Sequence, residues 1–315
     1  MARLYRVCSA RLSALRTRGR DPDAIRYLNA LCLRAYTRLQ VPPPAEQRVR
    51  GFFMADLPKV LAATAWLQAI VAMLMLTGFL AGVAIVRENP AAAYACIPFY
   101  PAGQLENLLE SRDAREAFLE RKPMEFGIKS IFSAALFTHN MSVGILSFAT
   151  GVLAGIPTLW LVFYNGLGLG AFVWVFSRDS LWLVFWAWLL PHAIPELLAV
   201  VLCSTAGLII GKAVVAPGRQ TVTAALRSAA SPALELVAAA VPLFIVAALI
   251  ESFVRQSMLS TGFRLLAAAA ALYAIGAYAR YVFRIARQPV PPDLEWLVRS
   301  APLHESQGTG SAPAP

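Results

Sequence analysis

The chain contains 315 residues, of which 58% are hydrophobic and only 15% are charged, whereas soluble domains usually carry about 25% charged residues. This composition excludes an ordinary soluble domain and predicts an all-α, polytopic membrane bundle. The net charge of +10 is carried by residues beside apolar runs, so it indicates membrane topology and contact with anionic headgroups rather than nucleic-acid binding.

Residues 1–57 are predicted to form a basic helical segment in the cytoplasm. Arginines interrupt every apolar stretch, so the segment lacks a signal-peptide core and should be retained. Asp21-Pro22 is typical of a helix start and separates two amphipathic helices. Their apolar positions are Leu4, Val7, Leu12 and Leu15, then Ile25, Leu28, Leu31, Cys32 and Ala35. We interpret the segment as a solvated cap at the lipid surface, with a partner-binding domain as the alternative.

Residues 58–285 are predicted to form the transmembrane bundle, with about six spans. A polar external loop at 87–129 follows the first span, and a mostly disordered cytoplasmic tail occupies 286–315. The predicted spans are 60–86, 131–153, 158–177, 181–211, 233–250 and 263–283. The fourth is predicted to be interrupted by Pro191 and Pro195.

The stretch 130–177 contains no charged side chain, and one span needs only about 20 apolar residues. The break at Gly155–Pro157 therefore predicts two spans joined as a hairpin. Charge bias supports the division, because the 212–230 loop holds three basic and no acidic residues and belongs inside under the positive-inside rule. Both termini are then inside.

Small residues predict where the helices pack, because close backbone approach holds helices together in lipid. Four Gly-xxx-Gly pairs occur: Gly78/Gly82, Gly151/Gly155, Gly166/Gly170 and Gly207/Gly211. We expect them to pack helices within one chain, with a homo-oligomer as the alternative.

Polar residues at membrane depth are the candidate functional groups. His192 and Glu196 lie four residues apart, on one helix face, and a buried glutamate is costly unless it is paired or protonated. Pro195 should kink this helix and free a carbonyl. We interpret the pair as hydrogen-bonded and structural, with an ion-binding site and a metal or catalytic site as alternatives. The complete predicted cluster is His139, Asn140, Asn165, His192, Glu196 and Glu251, the last lying near the outer interface.

Templates of soluble enzymes are missing from the sequence. It contains no G-x-S-x-G, Walker A, HExxH or dinucleotide-binding motif, and only three histidines. The four cysteines, Cys8, Cys32, Cys96 and Cys203, form no CxxC pair and predict neither a zinc site nor a disulfide framework. We therefore expect no metal, no cofactor and no enzymatic activity, with an intramembrane hydrolase built on Glu196 and the histidines as a third option.

Several motifs, in order along the chain, resemble the stage II sporulation protein M family. They are Pro157-Thr158-Leu159 through Tyr164-Asn165-Gly166, Trp188-Leu189-Leu190-Pro191-His192 to Glu196-Leu197-Leu198-Ala199, Ala206-Gly207-Leu208, and Leu249-Ile250-Glu251-Ser252-Phe253-Val254. Tyr27-Leu28-Asn29 and Phe52-Phe53 are similar to the N-terminally extended members. Two positions depart from the family pattern: Ala193 replaces a glycine, and His139 replaces an asparagine.

The resemblance implies a multi-span protein of the bacterial inner membrane. The family's namesake is regarded as a scaffold for membrane-anchored peptidoglycan-degrading partners in spore formers, although nothing in this chain indicates sporulation. We therefore expect a non-enzymatic scaffold that binds the bilayer and other membrane or envelope proteins. The alternative is a transporter or channel for ions or small solutes, with the polar cluster as its relay.

Overall fold

The computed structural model describes residues 2–18, 22–39, 44–98, 100–119, 141–251 and 259–298. All regular secondary structure in these ranges is helical, which confirms the all-α prediction. Contacts divide the chain into two units, Met1–Met54 and Ala55–Pro315, close to the predicted boundary at residue 57.

The first unit is built around a helical hairpin. Its helices are α1 (Ala2–Arg18), α2 (Pro22–Leu39) and α3 (Ala45–Gly51). Leu12 of α1 and Cys32 of α2 are buried, whereas Val7 is 48% exposed and Leu31 is 38% exposed. The predicted apolar faces are therefore wrong at these last two positions, because the contact side of α1 passes through Cys8 instead.

The second unit contains the apolar helices. After a π-helical turn at Phe52–Asp56, its helices are α4 (Leu57–Ala63), α5 (Ala65–Glu88), α6 (Ala93–Cys96), α7 (Ala102–Glu110), α8 (Arg112–Leu119), α9 (Met141–Val152), α10 (Ile156–Ser177), α11 (Trp182–Val215), α12 (Val222–Leu249), α13 (Thr261–Ile285) and α14 (Glu295–Val298). Five of the described helices, α5 and α10 to α13, are long and apolar enough to cross a membrane. Helix α9 covers the end of the predicted second span, whose residues 131–140 lie outside the described ranges.

Two of the glycine pairs join α5 to α10. Each glycine lies against the backbone of the other helix, so that an added Cβ atom would collide with a main-chain carbonyl. The collisions are Gly78 with Phe163, Gly82 with Leu167, Gly166 with Met75 and Gly170 with Phe79. Since residue numbers rise together along both helices, α5 and α10 run in the same direction.

The other two pairs join the end of α9 to α11. A Cβ atom added at Gly151 would collide with the backbone of Gly207, and one at Gly211 would meet the backbone of Gly155. Gly155 has a φ of 74°, a left-handed conformation that glycine adopts without steric cost. It turns the chain from α9 into α10, whose first turn contains Pro157.

The chain reverses direction at the turn between α9 and α10, so the described end of the predicted second span runs opposite to α10. Helix α9 runs parallel to α11, whereas α10 and α11 are antiparallel neighbours. The rings of Phe176 and Phe185 stack across that neighbouring pair with centroids 4.7 Å apart.

The predicted external loop contains packed helices. Leu105 and Leu108 of α7 are buried, together with Cys96 and Leu119. The ring of Phe118 lies 5.2 Å from that of Trp188 and 6.0 Å from that of Phe172. Helices α6 to α8 therefore cover the ends of α10 and α11 that meet at the Arg178–Ser180 turn.

Part of the predicted disordered tail is ordered in the structure. Leu294 is 5% exposed and Leu297 is fully buried. The Lys212 ammonium group donates hydrogen bonds to the carbonyls of Trp296 and Leu297, at 2.9 and 3.0 Å. Trp66 of α5 donates to the same Leu297 carbonyl at 3.1 Å. The end of α14 is thereby fastened to α5 and α11, while residues 299–315 lie outside the described ranges.

We predict that Gly166→Ala destabilises the protein, because its methyl group would force α10 away from the Met75 carbonyl. Overpacking of this kind typically costs about 1–3 kcal/mol. The midpoint of thermal unfolding of the purified protein in detergent should therefore fall. Gly276→Ala in α13 is the matched control, because a Cβ atom there meets nothing within 4 Å. Equal midpoints of thermal unfolding for the two variants would contradict the close packing of α10 against α5.

Candidate functional site

Helix α11 carries the predicted histidine and glutamate on an unbroken helix of 34 residues. Pro191 and Pro195 lie inside it, so the predicted interruption of this span is not observed in the helix assignment. Each proline lacks an N–H group, which leaves the carbonyls of Ala187 and Pro191 without their usual intrahelical donors. The helix thus offers two backbone acceptors beside His192.

His192 is buried within an aromatic environment. Its side chain is 6% exposed, and its ring meets the Trp188 ring edge-to-face, with centroids 5.6 Å apart. Glu196 follows one helical turn later and is half-buried. The i, i+4 spacing places the imidazole and the carboxyl group on the same side of α11.

Helix register brings Glu251 to the depth of Glu196. An added Cβ atom on Gly144 would touch both the Phe244 ring and the Cys203 sulfur, so these residues of α12 and α11 lie at one level. Glu251 follows Phe244 by seven positions, and Glu196 precedes Cys203 by the same number. In the antiparallel pair, both residues lie about 10 Å toward the end of the bundle that carries the Arg178–Ser180 turn, at 1.5 Å per residue. Glu251 is only 7% exposed in the structure.

Asn165 of α10 reaches the same depth. The α10–α11 register is fixed at one end by the Phe176–Phe185 stack and at the other by Thr158, which lies beside Gly207. Interpolation between these contacts places Asn165 level with the turn that contains Glu196. We call Asn165, His192, Glu196 and Glu251 the polar layer. The other two predicted members, His139 and Asn140, lie outside the described residues.

A group of hydroxyl side chains lies farther along α9 to α11. Thr158 donates to the Ser147 carbonyl at 2.8 Å, and its hydroxyl lies 3.2 Å from that of Thr150. Ser147, Ser204 and Thr205 are fully buried, and their hydroxyl oxygens have no hydrogen-bond partner among the described residues. Sequence reasoning missed this group, because serine and threonine are common in membrane helices and form no distinctive motif.

A charged clamp at the turn between α10 and α11 was also missed. Arg115 is 3% exposed and pairs with Asp179, with 2.6 Å between Nε and Oδ2. It also donates to the Leu108 carbonyl, while Arg178 donates to the Leu109 carbonyl at 2.6 Å. The clamp ties α7 and α8 to the α10–α11 turn. Its partners are 64 residues apart, so no local pattern could have identified them.

A cavity of about 670 Å³ lies at the end of the second unit opposite the α10–α11 turn. Its walls come from α4, the start of α12 and the segment before α14, and they carry both signs of charge. The charged lining residues are Asp56, Lys59, Arg227, Glu235, Asp293 and Glu295. This cavity is distinct in position from the polar layer, since Glu235 and Glu251 are 16 residues apart on the chain of α12.

Among the described residues, no group of three or more histidine, cysteine, aspartate or glutamate side chains could hold a metal ion. The polar layer instead combines one imidazole, two carboxyl groups and one amide. These groups can bind or pass a proton, or can hydrogen-bond neighbouring helices.

Comparison with protein families agrees with the sequence motifs. The model for stage II sporulation protein M matches residues 71–255, which include the whole polar layer. A second model, a domain of unknown function termed DUF8413, matches residues 1–40, the hairpin of α1 and α2. No curated protein and no solved structure matches the chain. Because the first match covers more than half of its length, the chain belongs to the stage II sporulation protein M family.

Proposed function

We propose that the protein is a non-enzymatic scaffold of the bacterial inner membrane, which holds other membrane or envelope proteins in a complex. Family membership supports this role, as does the division into a basic helical hairpin and a membrane bundle with separate family matches. The glycine contacts between neighbouring helices and the Arg115–Asp179 ion pair hold the bundle together internally, which is what a rigid platform requires.

The observation that carries the proposal is the exposure of α13. In this helix, which the structure describes throughout, Ala268 is the one buried residue. Its exposed positions include small residues, and Gly276 has open space around it. Helices associate in lipid through such small residues. Helix α13 therefore offers a lateral surface that another membrane helix can approach closely.

We predict that Gly276→Leu releases a partner without unfolding the chain. A Cβ atom at this exposed position meets no other atom of the chain within 4 Å, but the added side chain would block close approach by a second helix. Affinity-tagged protein, extracted in mild detergent, should bring down a partner in fixed stoichiometry, and the variant should lose it. Gly262→Leu is the control, since Gly262 lies on the same helix with equally open surroundings. A chain that purifies alone under every condition argues strongly against the scaffold.

The proposed orientation places both termini in the cytoplasm. The basic 212–230 loop supports this arrangement, and the even number of crossings follows if residues 120–155 cross once. We expect Gly103→Cys in α7 to react with a membrane-impermeant maleimide in intact cells, because it would face outward. Arg219→Cys should react only after the inner membrane is permeabilised. The opposite labelling pattern would invert the orientation, and labelling of both from outside would change the number of spans.

The polar layer favours a second candidate function, a proton or ion path. Ionisable residues at membrane depth often mark such paths, and here the two carboxyl-bearing residues share one level, with His192 one helical turn away on α11. We predict that wild-type protein in liposomes dissipates an imposed pH gradient, and that Glu196→Gln and Glu251→Gln reduce the flux to that of empty vesicles. Glu235→Gln, on the same helix as Glu251 but at the cavity, should retain it. Flux that is absent, or equal in all three variants, excludes this path.

A further inference from the structure

Two cysteine side chains face each other in the N-terminal hairpin. Cys8 of α1 and Cys32 of α2 are 24 positions apart on the chain, yet their sulfur atoms are separated by only 3.3 Å. Cys32 is 8% exposed and Cys8 is partly accessible. All four cysteines are free thiols in the structure, but the hairpin brings these two together although their sequence spacing gave no sign of it.

The hairpin itself holds the two sulfurs together. Leu12 follows Cys8 by one turn and is buried, so both residues belong to the contact side of α1. Near the loop, Arg16 donates a hydrogen bond to the Asn29 side chain at 3.0 Å, which fixes the register of the two helices. A disulfide has a sulfur–sulfur bond of about 2.05 Å, so the sulfurs need to approach by only about 1.2 Å.

We propose that Cys8 and Cys32 are a redox modification site, at which a low-molecular-weight disulfide such as oxidised glutathione converts the two thiols into an intramolecular disulfide. In the first step one thiolate attacks the small disulfide, which forms a mixed disulfide and releases one thiol. In the second step the neighbouring cysteine attacks the protein sulfur of that mixed disulfide and releases the second thiol. The two cysteines lose two electrons and two protons, and the small disulfide gains them.

The geometry also assigns the order of attack. Cys32 donates its S–H to the Cys8 sulfur, and this hydrogen bond, followed by burial, raises the pKa of the Cys32 thiol. The Cys32 side chain is also the less accessible of the two. Cys8 is the attacking residue, and Cys32 resolves the mixed disulfide.

Oxidation would join α1 and α2 covalently and limit their movement relative to each other. Few side chains are buried between α1 and α2, so noncovalent contacts hold the helices together weakly. A cross-link closes the loop between residues 8 and 32 and restricts the unfolded chain. Reversible disulfides of cytosolic segments commonly act as redox sensors. This site does not depend on the scaffold role or on a proton path, because it lies in the first unit, Met1–Met54, whose residues 1–40 match the DUF8413 model.

The test uses full-length protein in detergent, reduced and then equilibrated with mixtures of oxidised and reduced glutathione. Remaining thiols are alkylated after an acid quench, and peptides are quantified by mass spectrometry. We expect Cys8 and Cys32 to lose alkylation together and to yield one cross-linked peptide pair. Cys96 and Cys203, both buried in the second unit, should stay alkylatable after denaturation and serve as internal controls.

Cys8→Ser and Cys32→Ser supply the matched comparison. With one sulfur missing, the remaining cysteine can form only a glutathione adduct, and half-conversion should require at least about tenfold more oxidised glutathione because the effective concentration of the second thiol is lost. Wild-type protein in urea should also need more oxidised glutathione for half-conversion. This result would show that the folded hairpin brings the two thiols together. Independent oxidation of the two cysteines, a chain dimer linked through Cys8, or equal midpoints for wild type and variants would overturn the proposal.

Discussion

Direct contact between helix backbones is the constraint on which this bundle depends. Lipid tails are as apolar as leucine side chains, so burial from water cannot drive helices together inside a membrane. Glycine solves the problem where it removes every side-chain atom from the crossing point, as at Gly78 and Gly166 on α5 and α10. The same contacts set the relative direction and register of the helices. The positions of the polar layer and of the turn at Gly155 follow from that register, as does the position of α6 to α8.

The sequence predicted the class of fold because the cost of charge in lipid is large and local. Charge-free stretches coincide with apolar helices, and the bounds of α10 and α13 agree with the predicted ones to within a few residues. It predicted which glycines matter but not how they pair, because spacing defines a helix face without identifying the neighbour. The observed contact side of α1 includes Cys8 and not Val7, which was predicted. The many arginines of this helix leave no strongly apolar face from which the contact side could be identified. Distant pairs such as Arg115 and Asp179 leave no local signal at all.

Residue type alone selected the candidate site, and its geometry could not be predicted from the sequence. A histidine or carboxyl group inside an apolar stretch is unusual enough to be noticed, which is why Glu196 and Glu251 were both selected. Their common depth could not be read from the chain, because it depends on how α11 and α12 are aligned around Gly144. The two prolines of α11 suggested an interruption, yet the helix continues through them, because losing a donor weakens a helix locally without ending it where neighbours pack around it.

The fastening of α14 has a consequence for biogenesis. Trp66 and Leu297 are 231 residues apart, so Trp66 of α5 can acquire this neighbour only after the chain has been synthesised as far as Leu297. The apolar helices can form one after another, but the contacts of Trp66 and Lys212 with α14 can form only after all five have been synthesised. Assembly of this end of the second unit therefore depends on a short segment that follows α13.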